Sequence, residues 1–381
     1  MTEKPSSGKP KIRVGVIFGG RSGEHEVSLV SARGIMAALD KNKYEVIPIG
    51  ITKEGRWIAG GDPLAALKGE QAEAAHQTAL LGDPTQRGLI PSEAARGLDS
   101  AHRVEMDVVF PALHGPYGED GTVQGLLELA DVAYVGAGVL GSALGMDKVV
   151  MKDVFKAHGL PIADYLAYKR SELDRRQIEI ENEIEEQLGY PCFVKPANLG
   201  SSVGITKVHD RTELGPALQL AASYDRKIVV EQGINAREIE CSVLGNDDPV
   251  ASVLGEVIPS REFYSYEAKY IDDCSQLVIP ANLPQDLTER IQNLAVRAFL
   301  ATDCAGMARV DFLVDRETLD AYVSELNTIP GFTPISMYPK LWEASGVSYP
   351  ELIDRLVQLA LERHQEKQRT LTSYAPQRGQ E

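Results

Sequence analysis

Apolar β-branched runs and amphipathic stretches alternate along the first third of the chain. The run at 11–18 (KIRVGVIF) leads into a glycine loop and then into residues with helical spacing, and the same order returns at 104–129. A further apolar run occupies 44–51. Strand, loop and helix in this repeated order predict an open α/β domain at the N-terminus. The intervening 60–103 shows no clear period, so we expect an insertion of weak structure there.

The rest of the chain mixes helices with shorter strands. Helical spacing marks the stretches 146–158, 171–188, 212–223, 285–301 and 350–364. Strand–turn–strand patterns occupy 191–207 and 307–325, and single strands are expected at 227–231 and 238–243. This order predicts α+β structure after the first domain, with a polar tail at 371–381.

The hairpin predicted at 308–325 collects charge on one face. Residues two apart on a strand share a face, so Arg309 and Asp311 point the same way, and Glu325 and Asn327 do so at the end of the second strand. Hard oxygen donors suit Mg²⁺, and an arginine beside them could stabilise a developing oxyanion. A solvated outer face would show the same alternation, so this pattern alone leaves both interpretations open.

The glycine loop after the first strand does not fit a dinucleotide fingerprint, because Gly19, Gly20 and Gly23 lack the GxGxxG spacing. The loop instead leads into a helix at the carboxyl end of a strand, where open α/β sheets bind ligands. Glu24 could bind an ammonium group at this edge. Glu26 is expected only to complement the helix dipole.

Two further motifs have both a structural and a functional interpretation. His114 sits at a strand end before another glycine loop, where it is either a structural residue or part of a substrate pocket. The tip at 200–204 (GSSVG) follows a strand that ends in Lys195, and its backbone N–H groups could cover phosphate oxygens. It is not a Walker loop, and a plain flexible hairpin would look the same.

Composition narrows the class of protein. The 381 residues suggest two or three domains, and the net charge of −16 argues against nucleic acid as a partner, although local cationic clusters could hold a nucleotide. Four scattered cysteines without a CxxC pair indicate buried thiols in a reducing compartment. There is no secretory pattern and no apolar run near the roughly 18 residues of a membrane span. We therefore expect a cytoplasmic protein without a membrane partner.

In combination, ordered motifs over most of the chain resemble the D-alanine–D-alanine ligases of the ATP-grasp superfamily. These motifs are GGRSGEHEVSL, HGPYGEDGTVQG, MDK, FVKPANLGSSVG, FYSYEAKY, ARVDF and ELNTIPGFTPISMYPKLW. The resemblance implies an N-terminal open α/β domain at 1–140 that binds the first D-alanine. It also implies a central ATP-grasp subdomain at 141–233 with a phosphate lid and a C-terminal subdomain at 234–370 with the Mg²⁺ and oxyanion site.

The resemblance also implies a nucleotide site. The groups expected at the ATP phosphates are Lys148, Lys195, Lys269 and the lid at 201–204, which includes Ser202. The residues expected at adenine and ribose are Glu231, Gln232, Ile234, Phe263 and Glu238, with Phe263 stacking on the ring and Glu238 holding the ribose.

Metal and substrate roles follow in the same way. Asp311, Glu325 and Asn327 would bind two Mg²⁺, for which Mn²⁺ may substitute in the family, while Arg309 and the Gly331 amide would form the oxyanion hole. Glu24 would bind the ammonium of the first D-alanine with His114 near its carboxylate, and Ser336 with Met337 would face the second. The expected lid-closing triad is Glu24, Ser201 and Tyr270.

The implied reaction is ATP-dependent joining of two D-alanines through a D-alanyl phosphate, for peptidoglycan precursors, by a homodimer. An alternative is a ligase that uses another acceptor such as D-lactate, and the tyrosine at 270 favours the dipeptide. A non-catalytic nucleotide-binding regulator would be expected to lack a metal ligand or Arg309, and the sequence keeps all of them.

Overall fold

The computed structural model describes residues 10–70, 73, 75–86, 88–92, 103–200, 203–259 and 276–371. Its strands form three sheets, which follow one another along the chain. Helices cover the sheets, and charged residues associated with all three sheets come close enough to interact at one place, which is called the cleft below.

The N-terminal sheet has seven strands in the order β5-β4-β3-β2-β1-β6-β7. Its strands are β1 (Ile12–Gly19), β2 (Tyr44–Ile51), β3 (Trp57–Ala59), β4 (His76–Leu80), β5 (Leu89–Pro91), β6 (Val108–Pro111) and β7 (Ala133–Tyr134). Its helices are α1 (His25–Ala38), α2 (Pro63–Lys68) and α3 (Thr122–Leu129). Strands β2, β1, β6 and β7 are parallel, as the predicted strand–loop–helix order requires.

The expectation of weak structure at 60–103 is wrong for the described part of that segment. Helix α2 forms there, and β4 and β5 extend the sheet through antiparallel pairing that starts from β3. These strands are three to five residues long, and in β4 only Thr78 and Leu80 are buried. Such short strands give too few alternations for a period to be visible in the sequence.

Two antiparallel sheets follow. The first has the order β10-β9-β11-β8 and the second the order β14-β13-β12-β15-β16. Their strands are β8 (Tyr165–Lys169), β9 (Cys192–Pro196), β10 (Thr206–Val208), β11 (Lys227–Gln232), β12 (Ala236–Gly245), β13 (Val250–Ile258), β14 (Gln276–Val278), β15 (Gly306–Asp315) and β16 (Ala321–Asn327). The helices are α4 (Val139–Met146), α5 (Lys148–Ala157), α6 (Arg170–Gln187), α7 (Arg211–Tyr224), α8 (Gln285–Ala301), α9 (Met337–Ala344) and α10 (Tyr349–Lys367).

The cores show how the units are joined. Helices α6 and α7 cover the four-stranded sheet, and α8 covers the five-stranded sheet. The last helix, α10, packs Leu352 and Leu356 into the same cluster as Val14 and Phe110 of the first sheet. The chain therefore returns to its N-terminal sheet at its end, and Phe332 lies in that cluster too.

The loop after β1 is fixed by a close backbone approach. Gly19 has φ +92°, and a Cβ there would lie 2.2 Å from the carbonyl oxygen of Ile51. Only glycine tolerates both the left-handed backbone and this contact. Ser28 on α1 accepts from the Gly19 N–H at 2.8 Å, and His25 Nδ1 lies 2.9 Å from the Gly20 carbonyl oxygen. The loop that carries Glu24 is thus fastened to both its strand and its helix.

We predict that Phe312→Ala lowers the free energy of unfolding by about 3–5 kcal/mol, because it removes a buried ring and leaves a cavity. Phe312 is 1% exposed in the core between β15 and α8. Urea denaturation followed by circular dichroism measures the change. The matched control is Leu300→Ala on α8, where the side chain is 48% exposed and the expected change is within about 0.5 kcal/mol. Equal changes in the two variants would contradict the prediction that Phe312 on β15 faces the core.

Candidate active site

The predicted charged hairpin face is present. Strands β15 and β16 pair with Arg309 opposite Asn327 and Asp311 opposite Glu325, so all four side chains share one face. The alternate residues Val310 and Phe312 are buried on the other face. The register therefore brings two carboxylates, an amide and a guanidinium together, as the alternation in the sequence predicts.

Arg309 is held by carboxylates on two strands. Its Nε donates to Asp311 Oδ1 at 2.7 Å and its Nη2 to Asp311 Oδ2 at 2.6 Å. Its Nε also lies 3.0 Å from Glu240 Oε2 on β12. Although burial alone lowers the pKa of Arg309, Asp311 and Glu240 raise it well above its usual range. The guanidinium is therefore a permanent positive charge on this face.

Glu325 connects the hairpin to helix α5. Its Oε2 lies 3.4 Å from the ammonium of Lys148, the first residue of α5, and that ammonium also donates to the Leu199 carbonyl oxygen at 3.0 Å. Asp147 caps α5 by accepting from the backbone N–H groups of Val149 and Val150. Lys148 thus joins the hairpin to the end of the segment that precedes the predicted lid.

A buried cluster of one carboxylate and two ammonium groups lies between the four-stranded sheet and helix α5. Glu231 is 3% exposed, with Lys195 Nζ at 2.9 Å and Lys152 Nζ at 3.4 Å. Burial raises the pKa of Glu231, but the two ammonium groups outweigh it and hold the pKa at about 2. Burial lowers the pKa of Lys195 while Glu231 raises it more, and burial lowers the pKa of Lys152. With both lysines protonated the cluster has an excess positive charge, which suits an anionic ligand.

The segment expected to face adenine links β11 to β12. Gln232 is the last residue of β11, and its N–H donates to the Asp164 carbonyl oxygen at 2.9 Å. Ile234 is half-buried in the link, and Glu238 is half-buried on β12, where its charge raises the pKa of Lys195. The structure therefore brings Glu238 within electrostatic reach of the Glu231 cluster, and Gln232 adjoins that cluster along β11.

Two carboxylates meet at the edge of the N-terminal sheet. Glu119 Oε1 accepts from the Gly115 N–H at 2.8 Å, and a Cβ on Gly115 would lie 3.0 Å from Glu24 Oε2. A Cβ on Gly200 would lie 3.6 Å from Glu24 Oε2 and 3.9 Å from Glu119 Oε1. The end of the segment before the predicted lid thus closes over both carboxylates. Burial, reinforced by the charge of Glu24, raises the pKa of Glu119 to about 8.

His114 is engaged by the protein through both ring nitrogens. Its Nδ1 lies 3.2 Å from the Ile329 carbonyl oxygen and its Nε2 lies 3.2 Å from Ser31 Oγ. Burial lowers the pKa of His114, which favours the neutral imidazole. The ring therefore connects α1 to the loop after β16. His114 thus has a structural role, in addition to any role in substrate binding.

The loop after the hairpin brings Gly331 to Ser336. A Cβ on Gly331 would lie 3.1 Å from Ser336 Oγ, and the Thr333 N–H donates to that oxygen at 3.1 Å. Met337 was expected to face substrate, but its side chain is 7% exposed and packs with Val257. Met337 is the first residue of α9, so its backbone N–H at the helix start is the group open to a substrate role.

Five of the predicted residues lie outside the described part of the chain: Ser201, Ser202, Phe263, Lys269 and Tyr270. Three described residues were missed by sequence reasoning, namely Lys152, Glu119 and Glu240. Lys152 lies one helical turn after Lys148, and Glu240 lies two residues after Glu238, so periodicity could have indicated both. For Glu119 the helix-start position was visible, but its contact with the loop of Glu24 is non-local.

The hairpin donors fit a hard divalent ion by chemistry. Asp311 and Glu325 offer carboxylate oxygens side by side, and the Asn327 amide lies 3.0 Å from Asp311 Oδ2. The cations of Arg309 and Lys148 already lie against these carboxylates. Across the described ranges, the hairpin included, no group of three or more His, Cys, Asp or Glu residues is placed to hold a metal, so the candidate donor set is the two carboxylates with the Asn327 amide. None of the described helices is long and apolar enough to cross a bilayer.

The raised pKa of Glu119 predicts a pH-dependent stability. The pKa of the Glu119 carboxyl is about 4.5 in the unfolded chain, so the folded protein binds this proton more tightly than the unfolded chain does. The contribution of Glu119 to the free energy of unfolding is therefore lost as pH rises from about 4.5, and the loss is complete above about 8. Glu119→Gln removes this loss, so the thermal midpoint of the variant should rise relative to that of the wild type as pH increases from 6 to 9. Asp120→Asn is the control, with a constant offset expected across this range. A midpoint difference for Glu119→Gln that does not change with pH would contradict the assignment.

Comparison with known proteins identifies the family of this arrangement. The family model described as "D-ala D-ala ligase N-terminus" matches residues 13–137, and the one described as "D-ala D-ala ligase C-terminus" matches 154–358. A D-alanine--D-alanine ligase of Natranaerobius thermophilus is 52% identical over 96% of this chain and 99% of its own length.

Solved structures superpose on most of this chain. The D-alanine-D-alanine ligase from Coxiella burnetii superposes with a TM-score of 0.80 at 38% identity, covering 94% of this chain and 96% of that one. The VanG D-Ala:D-Ser ligase from Enterococcus faecalis gives a TM-score of 0.82 at 35% identity, covering 92% of this chain and 100% of that one. The predicted ATP-grasp fold is confirmed by these neighbours. The chain belongs to the D-alanine–D-alanine ligase family.

Proposed function

We propose that this enzyme joins two D-alanines to D-alanyl-D-alanine, with ATP converted to ADP and phosphate, for peptidoglycan precursor synthesis. The observation that carries the proposal is the convergence of Lys148, Lys195 and Arg309 in a cleft with Glu231 and Glu325. Phosphoryl transfer to a carboxylate needs cations that can contact the phosphates of a nucleotide and that also lie next to oxygen ligands for a metal ion. The names of the curated relatives favour an amine acceptor over D-lactate.

The chemistry starts from a poor electrophile. A carboxylate must first receive the γ-phosphoryl group, which makes an acyl phosphate, before an amine can attack it. Lys148 and Lys195 would neutralise the phosphate oxygens of ATP, while Glu231 and the link at 232–234 would hold the adenine and Glu238 the ribose. Burial of the Glu231 cluster keeps these charges strong, because the local dielectric is low.

Glu24 would hold the ammonium of the first D-alanine at the N-terminal sheet edge. This would direct its carboxylate toward Lys148, since Glu119 and Glu24 lie on the side of the cleft where Lys148 and Glu325 act. Ser336, next to Gly331, would bind the carboxylate of the second D-alanine. Its amine would then attack the acyl phosphate, and Arg309 with the Gly331 N–H would stabilise the oxyanion of the tetrahedral intermediate.

Asp311, Glu325 and Asn327 are the residues that would hold Mg²⁺, or Mn²⁺ in its place. When bound, the metal would supply charge neutralisation for the transferred phosphoryl group. The roles proposed for Ser201, Ser202, Phe263, Lys269 and Tyr270 rest on the sequence resemblance. They would close the site over ATP and exclude water, which would otherwise hydrolyse the acyl phosphate.

We also propose the division at 1–140, 141–233 and 234–370, with the tail at 371–381, and a cytoplasmic homodimer. The three successive sheets support this division. The packing of α10 against the N-terminal sheet supports a rigid connection between the first and last units rather than free hinging.

The proposed function is tested by phosphate release from ATP and Mg²⁺ with D-alanine, L-alanine, D-lactate plus D-alanine, or no amino acid, with products identified by mass. We expect phosphate release coupled to D-alanyl-D-alanine and none above background with L-alanine. Turnover only with another acceptor would contradict the substrate, and tight ATP binding with no turnover would favour a regulator.

We predict that Glu325→Gln lowers kcat on the order of 10²–10³-fold while the fold is kept, because a metal-binding carboxylate becomes a neutral amide. Steady-state kinetics and circular dichroism measure the two effects. Glu317→Gln, at the exposed turn of the same hairpin, is the control and should keep wild-type kcat. Near-normal activity of Glu325→Gln would remove the metal assignment.

We predict that Lys195→Ala raises the KM for ATP and lowers kcat, each about tenfold, since the ammonium would contact the nucleotide in both ground and transition states. The KM for D-alanine should stay within about twofold. Lys156→Ala, on the exposed side of α5, is the control. An effect confined to D-alanine would contradict the phosphate role of Lys195.

A further inference from the structure

Arg309 and the proposed metal site share one carboxylate. Both oxygens of Asp311 accept from the Arg309 guanidinium, at 2.7 and 2.6 Å. The proposed function assigns the same carboxylate to Mg²⁺, which tolerates little departure from octahedral geometry. A metal ion at Asp311 would weaken its hold on the guanidinium, through competition for the oxygens and repulsion between the two cations. Arg309 then needs a second anchor to remain aimed at the substrate.

Glu240 is placed to be that anchor. Strand β12 pairs with β15 so that Glu240 lies directly opposite Asp311, and β15 pairs with β16 so that Asp311 lies opposite Glu325. Three carboxylates therefore form one row across the sheet. Glu240 Oε2 lies 3.0 Å from Arg309 Nε. In the present arrangement the Nε–H donates to Asp311, so the contact with Glu240 is electrostatic, and a small rotation of the guanidinium converts it into a hydrogen bond.

The burial of Glu240 argues against a merely structural ion pair. Its side chain is 10% exposed, and a buried ion pair is often replaceable by apolar residues without loss of stability. The residue opposite Glu240 on β13 is Gly255, and a Cβ there would lie 2.7 Å from Met337 Sδ. Helix α9 thus closes tightly over this part of the sheet.

We propose that Glu240 is a positioning residue that takes over the Arg309 guanidinium when Asp311 binds the metal ion. It does not touch substrate. Asp311 has two competing tasks, which are to hold Arg309 and to bind the metal ion. With Glu240 as a second partner, Arg309 can stay at the oxyanion position while the Asp311 carboxylate binds the metal ion. The inference rests on the proposed function of Asp311 and Arg309.

The chain offers a closely matched control. Glu256 on β13 likewise lies against an arginine, Arg237, although it accepts two hydrogen bonds, from Nε at 2.8 Å and Nη2 at 2.7 Å, where Glu240 has an electrostatic contact. Its side chain is 11% exposed and that of Arg237 is 18% exposed, against 10% and 19% for Glu240 and Arg309. The two pairs differ in that Glu256 lies away from the proposed metal ligands. Glu256→Gln therefore reports what the loss of a buried arginine partner does to the fold alone.

The experiment compares Glu240→Gln, Glu240→Asp and Glu256→Gln with the wild type. Two quantities are measured: kcat for dipeptide formation, and the Mg²⁺ concentration that half-maximally raises the thermal midpoint in the presence of ADP. We expect Glu240→Gln to lower kcat about 10–100-fold and to raise the half-maximal Mg²⁺ concentration by a similar factor, since Arg309 stays on Asp311. Glu240→Asp should recover part of both effects, and Glu256→Gln should change the apo midpoint only.

An unchanged half-maximal Mg²⁺ concentration in Glu240→Gln would overturn the proposal, whatever happens to kcat. A merely structural role of Glu240 would not alter the competition between Arg309 and Mg²⁺ for Asp311. If Glu240→Gln does not fold, the same comparison between Glu240→Asp and Glu256→Gln decides, with a raised Mg²⁺ requirement expected only for Glu240→Asp. Failure of the proposed function is distinguishable, since the wild type would then form no dipeptide at all.

Discussion

The structure depends on the pairing of buried carboxylates with buried cations along one cleft. Glu231 with Lys195 and Lys152, Glu325 with Lys148, and Asp311 with Arg309 each place opposite charges within 3.4 Å. Each of these charges is at least partly withdrawn from water, so the loss of its partner would leave an uncompensated charge and destabilise the fold. The lysine pairs join elements that are distant in sequence, whereas Arg309 and Asp311 lie on one strand, so the lysine pairs also help to assemble the site.

The pairing has a functional consequence. In the ligand-free protein the lysines and the arginine are held by carboxylates. A nucleotide phosphate would replace a carboxylate next to a lysine, and a metal ion would replace a cation next to a carboxylate. Such exchange costs little reorganisation, because the charges are already oriented by the sheets. The raised pKa of Glu119 fits the same view, since burial and the charge of Glu24 outweigh the opposing effect of Lys148 on this carboxyl.

The sequence predicted those parts of the site that depend on local periodicity. The two-residue alternation of strands predicted the shared face of Arg309, Asp311, Glu325 and Asn327, and the register confirms it. The same alternation could have placed Glu240 on the strand face of Glu238, but its contact with Arg309 depends on the non-local pairing of β12 with β15. The family resemblance implies that Met337 faces the second substrate, but the start of α9 turns its side chain into the core. The short strands after β3 were missed because they contain too few alternations.

The central claim is that the cleft activates a D-alanine carboxylate by phosphorylation. The most direct test uses D-alanine labelled with oxygen-18 in its carboxyl group, together with ATP and Mg²⁺, and analyses the released phosphate by mass. If an acyl phosphate forms and is attacked by the second amine, one labelled oxygen passes from the carboxylate to each phosphate. Dipeptide formation with unlabelled phosphate would contradict the account, because the carboxylate oxygen would then not have been the phosphoryl acceptor.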